Sequence, residues 1–273
     1  MATFGAELGI AGWIFQRSIR VDQSMTLLEL PKVCRSLGVG TIELVSTFFV
    51  SQSAQYLNEL RTAIAEQELR VRNIAVDMGN LANPDAAARQ TDIEALKQWF
   101  HVARAIGSEA IRVNSGAADP TDHLALARSI EGFRALAEAA AQTGVYLLIE
   151  NHGGATADPR NVQEILDKVE SPWFRTCPDS SNFTPDLWDE GMRILAPRAF
   201  SCHVKVMTYS PDGQQRWTYR DGAPRECNLN RFFEILREAN YTGPICLEGG
   251  ATGADLDNAR DGLAYVRGLL GQG

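Results

Sequence analysis

Short apolar runs alternate along the whole chain with stretches of helical periodicity. The runs are Phe4–Gly12, Gly40–Ser46, Arg70–Asp77, Glu109–Asn114, Val145–Glu150, Phe174–Asp179, Ala199–Val206 and Pro244–Glu248. They are rich in Ile, Val and Leu, as strands covered on both faces should be. Between them, apolar positions at helical spacing predict helices over Thr26–Leu37, Ala54–Gln67, Asp85–Ile106, Thr121–Thr143, Arg160–Val169, Pro185–Ala196, Asn228–Asn240 and Asp255–Leu270. Thr26 with Glu29 three residues later reads as a capping box. Glycine follows Leu37, Ile106 and Thr143, where a helix end needs the left-handed conformation. Pro120, Pro159 and Pro185 stand near predicted helix starts, where a missing N–H costs little.

Eight strand–helix units in 273 residues predict an α/β chain, a (β/α)8 barrel with residues 1–273 as a single domain. A doubly wound sheet fits less well, because GIAGWIF after the first strand lacks the glycine-rich phosphate turn. The longest connection, about residues 207–226, follows the seventh strand and carries Trp217, Tyr219 and Arg220. A long loop there would sit at the barrel mouth as a lid or pocket wall.

Four successive runs, YLLIE, FRTCPD, AFSCH and PICLE, stop at residues able to ligate a metal: Glu150, Asp179, His203 and Glu248. The C-terminal strand ends of such a barrel share one mouth. A single strand-end carboxylate is readily explained by a structural ion pair. Three of them clustered would repel unless a cation neutralised them. Three oxygens and one imidazole suit Mn²⁺ first, then Mg²⁺ or Co²⁺.

Net charge is −8, and there is no Lys/Arg cluster that would track phosphate backbones. Nucleic acid and membrane are therefore not expected partners. The five cysteines are odd in number, widely spaced and without a CxxC pair. They read as free thiols in a reducing compartment. Together with an N-terminus unlike a secretory signal, this gives the expectation of a cytoplasmic protein.

In the second half of the chain, LLIENHGG, CPDSSNF, CHVKV and YTGPICLEGG resemble, in order and spacing, the metal-ligand motifs of the xylose-isomerase-like TIM-barrel family of sugar isomerases and epimerases. Its members include ketose 3-epimerases, hydroxypyruvate isomerase and inosose dehydratases. The resemblance implies Glu150, Asp179, His203 and Glu248 as metal ligands. It also implies proton transfer next to a carbonyl through a metal-stabilised enediolate. Glu150 and Glu248 would then be the acid/base pair. The implied partner is a small carbohydrate, and relatives suggest a homodimer or homotetramer. One departure is Asn182, where ketose 3-epimerases usually carry a histidine three residues after the aspartate.

Other candidates have a bland reading beside the functional one. His152 would bind substrate or orient Glu150, or bond only to backbone. Lys205 would contact substrate, or pair with Asp179 or Glu248. Asn182, Asn73 and Asn114 would offer amides to sugar hydroxyls, or serve the barrel interior. Glu43, at the end of TIE, would contact substrate or stay structural. Trp13 and Phe15 would form an apolar wall, or pack against the last helix. Arg220 and Arg225 would meet an anionic group, although no phosphate cradle is evident and an unphosphorylated substrate is expected. His101 and His123 read as helix-surface residues. A lyase or dehydratase on a keto-sugar, keto-inositol or keto-glycoside would use the same site. Hydrolysis with the three metals of apurinic endonucleases is disfavoured by four histidines and negative charge. The ligand set disfavours a non-catalytic binding protein.

Overall fold

The computed structural model describes residues 5–219, 222–249 and 253–272. Eight parallel strands run β6-β5-β4-β3-β2-β1-β10-β7 around the core. Seven lie in β1 (Leu8–Ala11), β2 (Thr41–Val45), β3 (Arg70–Val76), β4 (Ala110–Val113), β5 (Tyr146–Glu150), β6 (Phe174–Cys177) and β7 (Cys202–Lys205). The eighth is β10 (Ile245–Gly249). The ring closes between β6 and β7 through two parallel bridges, Thr176 with Ala199 and Asp179 with His203. The seam has a simple cause. Pro178 has no N–H to donate, so it contributes only its carbonyl, to His203 N at 2.9 Å. Two candidate ligands thus face each other across the closure.

Helices α1 (Leu30–Ser36), α2 (Ala54–Glu66), α3 (Ala86–Ile106), α4 (His123–Thr143), α5 (Pro159–Val169), α6 (Trp188–Leu195), α7 (Leu229–Glu238) and α8 (Asp255–Leu269) follow their strands. The observed architecture is the expected (β/α)8 barrel. Asp85 and Asp122 cap α3 and α4 by accepting two backbone N–H bonds each, which satisfies orphan donors of the first turn. Gly107 and Gly144 close the same helices in the left-handed region, at φ 80° and 70°.

Some boundaries differ from expectation. The first predicted helix begins at Leu30 rather than Thr26. The Glu29 carboxylate does reach back to Thr26 N and Oγ1, at 2.8 Å each. The Glu29 N–H goes to Thr26 O at 3.1 Å rather than to the hydroxyl, and residues 27–29 form only turns. The connection after β7 is no plain loop. It contains an antiparallel hairpin of β8 (Gln214–Thr218) and β9 (Pro224–Asn228). Its strands are mostly polar and lack the alternation that marks a hairpin. The buried Gln215 ties the hairpin to the chain leaving β7, accepting from Met207 N and Thr208 N at 2.8 and 2.9 Å.

Behind the β6 turn, Phe183 is 1% exposed, and Gly191 of α6 lies against its ring. A Cβ at Gly191 would fall 2.2 Å from that ring. Gly191→Ala is therefore expected to lower stability by about 1–3 kcal/mol, as overpacking does, and to lower the urea midpoint; an unchanged midpoint would show that Phe183 moves freely.

Candidate metal centre

The four expected ligands converge. Glu150, Asp179, His203 and Glu248 are all buried and offer one donor atom each within 4.8 Å of one another. Each position has a local origin. Glu150 is the last residue of β5, paired with Cys177 of β6. Glu248 sits where the register of β10 against β7 shifts, between Leu247 and Gly249. Such a bulge re-aims a side chain next to a site. Asp179 is clamped by Asn151, whose Oδ1 accepts from Asp179 N at 2.8 Å while its Nδ2 donates to Asp179 O at 3.0 Å. Ser181 donates to Asp179 Oδ1 from its N–H and its hydroxyl, both at 2.7 Å.

His203 organises the centre through its two nitrogens. Nδ1 lies 3.2 Å from Glu150 Oε1 and 3.3 Å from Glu248 Oε1. Nε2 lies 2.6 Å from Glu43 Oε2. An ionised carboxylate only accepts, so Nε2 carries a proton and donates it to Glu43. That leaves Nδ1 as the nitrogen facing the other ligands. Glu43 is in turn held by the Ser201 hydroxyl and, at 3.4 Å, by Asn73 Nδ2. Burial acts to raise the Glu43 carboxyl, but the His203 charge and hydrogen bond outweigh it and hold it below its usual range. A carboxylate behind a ligating imidazole fixes the tautomer and strengthens the ligand.

The charges balance only locally. Arg112, 1% exposed, lies with Nε 3.0 Å from Glu150 Oε2 and with Nη1 against Asp77. Nε and Oε2 are an ion pair without hydrogen-bond geometry, and each lacks a hydrogen-bond partner. Lys205 Nζ spans Asp179 Oδ2 at 2.6 Å and Glu248 Oε2 at 2.9 Å. Burial would raise Glu150, yet Arg112 and His203 leave it at about 2. Glu248 is likewise lowered against the pull of burial, by His203 and Lys205. Burial alone would lower His203. The carboxylates of Glu248 and Glu43 outweigh it, with the Cys177 sulfur as a further acceptor, and hold the imidazole well above its ordinary value. Burial pushes the Cys177 thiol up to about 12, so it faces Nε2, at 3.5 Å, as a thiol.

This donor set fits a divalent cation. Oε1 of Glu150 and Oε1 of Glu248 lie against one imidazole nitrogen, and Asp179 offers a third carboxylate within 4.8 Å of the other donors. Oxygen donors with a single nitrogen differ from the thiolate set of a structural zinc.

The remaining candidates divide. A cavity of about 680 Å³ lies at this end of the barrel, and Lys205, Glu248, His152 and Asn114 line it. Lys205 makes the ion pairs named as its structural alternative and borders the cavity as well. Asn182 lies 3.5 Å from Glu150 Oε1 and from Lys205 Nζ. His152 is exposed, and its backbone N–H donates to Thr156 Oγ1 at 3.0 Å. Glu43 is not on the cavity wall. It lies beneath His203, 1% exposed, so the expected substrate contact is corrected to support of the imidazole. Asn73 is fully buried beside it. Trp13 lines the cavity, whereas Phe15 is in the core. Arg220 lies outside the described residues, and Arg225 is on the hairpin over Tyr219. His101 and His123 are exposed on helices.

Sequence reasoning missed Asp77 and Arg112. Asp77 follows the apolar run NIAV, the same signal that marked the four ligands. Arg112 is the only charge inside AIRV, and a charge within a barrel strand needs a partner.

Among the described residues, no helix is long and apolar enough to cross a membrane. Comparison with curated proteins finds no match. Solved structures share the fold at low identity. L-ribulose 3-epimerase is 16% identical with TM-score 0.75, over 97% of this chain and 95% of that one. A xylose isomerase-like TIM barrel protein from Mycobacterium smegmatis in complex with magnesium is 16% identical with TM-score 0.72, over 100% and 99%. The 3-keto-D-glucoside 4-epimerase YcjR from E. coli is 16% identical with TM-score 0.72, over 96% and 99%. The model of one family, described as xylose isomerase-like TIM barrel, matches residues 31–269. The chain belongs to the xylose isomerase-like TIM-barrel family.

Proposed function

We propose that this protein is a divalent-metal-dependent isomerase or epimerase of a small carbohydrate, transferring a proton next to a carbonyl. The observation that carries the reading is the buried group of three carboxylates and one imidazole nitrogen at the cavity floor. The sugar-epimerase neighbours L-ribulose 3-epimerase and 3-keto-D-glucoside 4-epimerase support the same class. Glu150, Asp179, His203 and Glu248 would hold the cation, with Mn²⁺ the preferred ion. When bound, it supplies Lewis acidity to a carbonyl oxygen and the adjacent hydroxyl.

The side chains account for the rest. Glu150 and Glu248 lie against the same His203 nitrogen and are both held ionised, so each can accept a carbon-bound proton. One carboxylate removes the carbon-bound proton, and the other takes a proton from solvent and delivers it to the carbon. Asp179 is fixed by Asn151 and Ser181 and serves as a ligand. Lys205 holds Asp179 and Glu248 in place, and Asn182 and His152 are proposed to meet substrate oxygens. The protein is proposed to work in the cytoplasm, as a homodimer or homotetramer.

Incubating a ketose panel in deuterium oxide tests the chemistry. The expected outcome is solvent deuterium at the carbon next to the carbonyl, with no loss of water from the sugar. Glu150→Gln and Glu248→Gln should each slow exchange by roughly 10²–10⁴-fold, the worth of a general acid or base. Elimination of water would assign a dehydratase instead, and the absence of exchange with every ketose contradicts the proposal.

Metal titration supplies a second test. Without metal, the neighbouring carboxylates favour the doubly protonated His203, and ligation must expel the Nδ1 proton. Binding should therefore release about one proton, visible by calorimetry in buffers of different ionisation enthalpy, and affinity should fall as pH falls. Glu43→Gln should weaken binding by roughly 10–100-fold. Binding without proton release and indifferent to Glu43 would contradict ligation through Nδ1.

A further inference from the structure

Asp77 brings a second carboxylate to the cavity, away from the metal group. It follows β3 and is held at both oxygens. Oδ2 accepts from Trp13 Nε1 at 2.9 Å. Oδ1 accepts from Asn114 Nδ2 at 3.1 Å and from Arg112 Nη1. Asp77, Trp13 and Asn114 all line the cavity, and the Asp77 side chain keeps 17% of its surface exposed. The same guanidinium touches Glu150 through Nε at 3.0 Å. Asp77 and Glu150 are thus separated by one guanidinium group, a distance a single monosaccharide spans.

Both Asp77 oxygens accept hydrogen bonds from Trp13, Asn114 and Arg112 and donate none. The group Asp77 can receive from the cavity is a hydroxyl or a cation. An incoming phosphate or carboxylate would meet like charge, with Arg112 already shared between two carboxylates. The Trp13 ring beside it offers a flat apolar face, which suits the C–H face of a sugar.

We propose that Asp77 is a specificity-determining residue. It receives the uncharged, hydroxyl-bearing far end of the substrate and turns away substrates that carry a phosphate or carboxylate there. The inference rests on the proton-transfer reading only for which end of the sugar faces Glu150 and Glu248.

The test measures binding, with no need for turnover. Metal-loaded protein is titrated by calorimetry with a panel of free ketohexoses and their 6-phosphates. At least one free ketohexose should bind roughly tenfold or more tightly than its 6-phosphate. Asp77→Asn keeps the shape and removes the charge, and it should erase most of that preference. Equal or tighter binding of the phosphates by the unmodified protein overturns the proposal. So does a preference that Asp77→Asn leaves intact, or no binding of any free ketohexose. Should Asp77→Asn fail to fold, the preference of the unmodified protein still decides. A retained preference with no deuterium exchange would sink the proton-transfer reading and leave the Asp77 assignment standing.

Discussion

Everything at the barrel mouth depends on neutralising buried carboxylates. Glu43, Glu150, Asp179 and Glu248 are all nearly inaccessible to solvent, and an isolated buried carboxylate is far too costly to stay ionised. Three cations answer them from different directions. Arg112 approaches Glu150 from β4, Lys205 bridges Asp179 and Glu248 from β7, and His203 stands between Glu43 on one side and Glu150 with Glu248 on the other. These cations also orient what they neutralise. The Glu43 contact turns Nδ1 of His203 toward the ligands, and the Arg112 contact fixes Glu150 while tying it to Asp77.

The scaffold supports this through irregularities. The strand ends of a regular barrel already share one rim, and local breaks in the ladders decide which side chains turn into it. Here Pro178 interrupts the β6–β7 pairing beside Asp179, and the β10 register shift sits at Glu248. Between them, Asn151 substitutes a side-chain clamp for a ladder. The core of Leu, Ile and Val below is left to packing while the rim carries the chemistry. The hairpin after β7 is anchored to the residues just beyond Lys205 by the buried amide of Gln215 and by the Thr208 hydroxyl, which donates to Gln214 O.

The barrel was legible because continuous apolar runs alternate with amphipathic helices, and that pattern follows directly from burying a sheet on both faces. The four ligands were legible because a polar residue ending an apolar run is a local feature. Asp77 obeyed the same rule and was passed over, because its run lies in the first half of the chain, where no family motif drew attention to it. Arg112 became meaningful only when the fold set it between Glu150 and Asp77, across three strands. The place of Glu43 was not readable for a similar reason. Its position beneath the imidazole rather than on the cavity wall depends on the depth of β2 relative to β7, which no local pattern encodes. The hairpin was hidden by polar strands whose pairing rests on backbone bonds.

The central claim is that one dication is held by Glu150, Asp179, Glu248 and the Nδ1 nitrogen of His203. Anomalous diffraction from a Mn²⁺-loaded crystal tests it most directly. The account predicts one strong site per chain at bonding distance from those four groups, with Glu43 still on Nε2. A peak on the Nε2 side beside Glu43 and Cys177, or none at this end of the barrel, would contradict it.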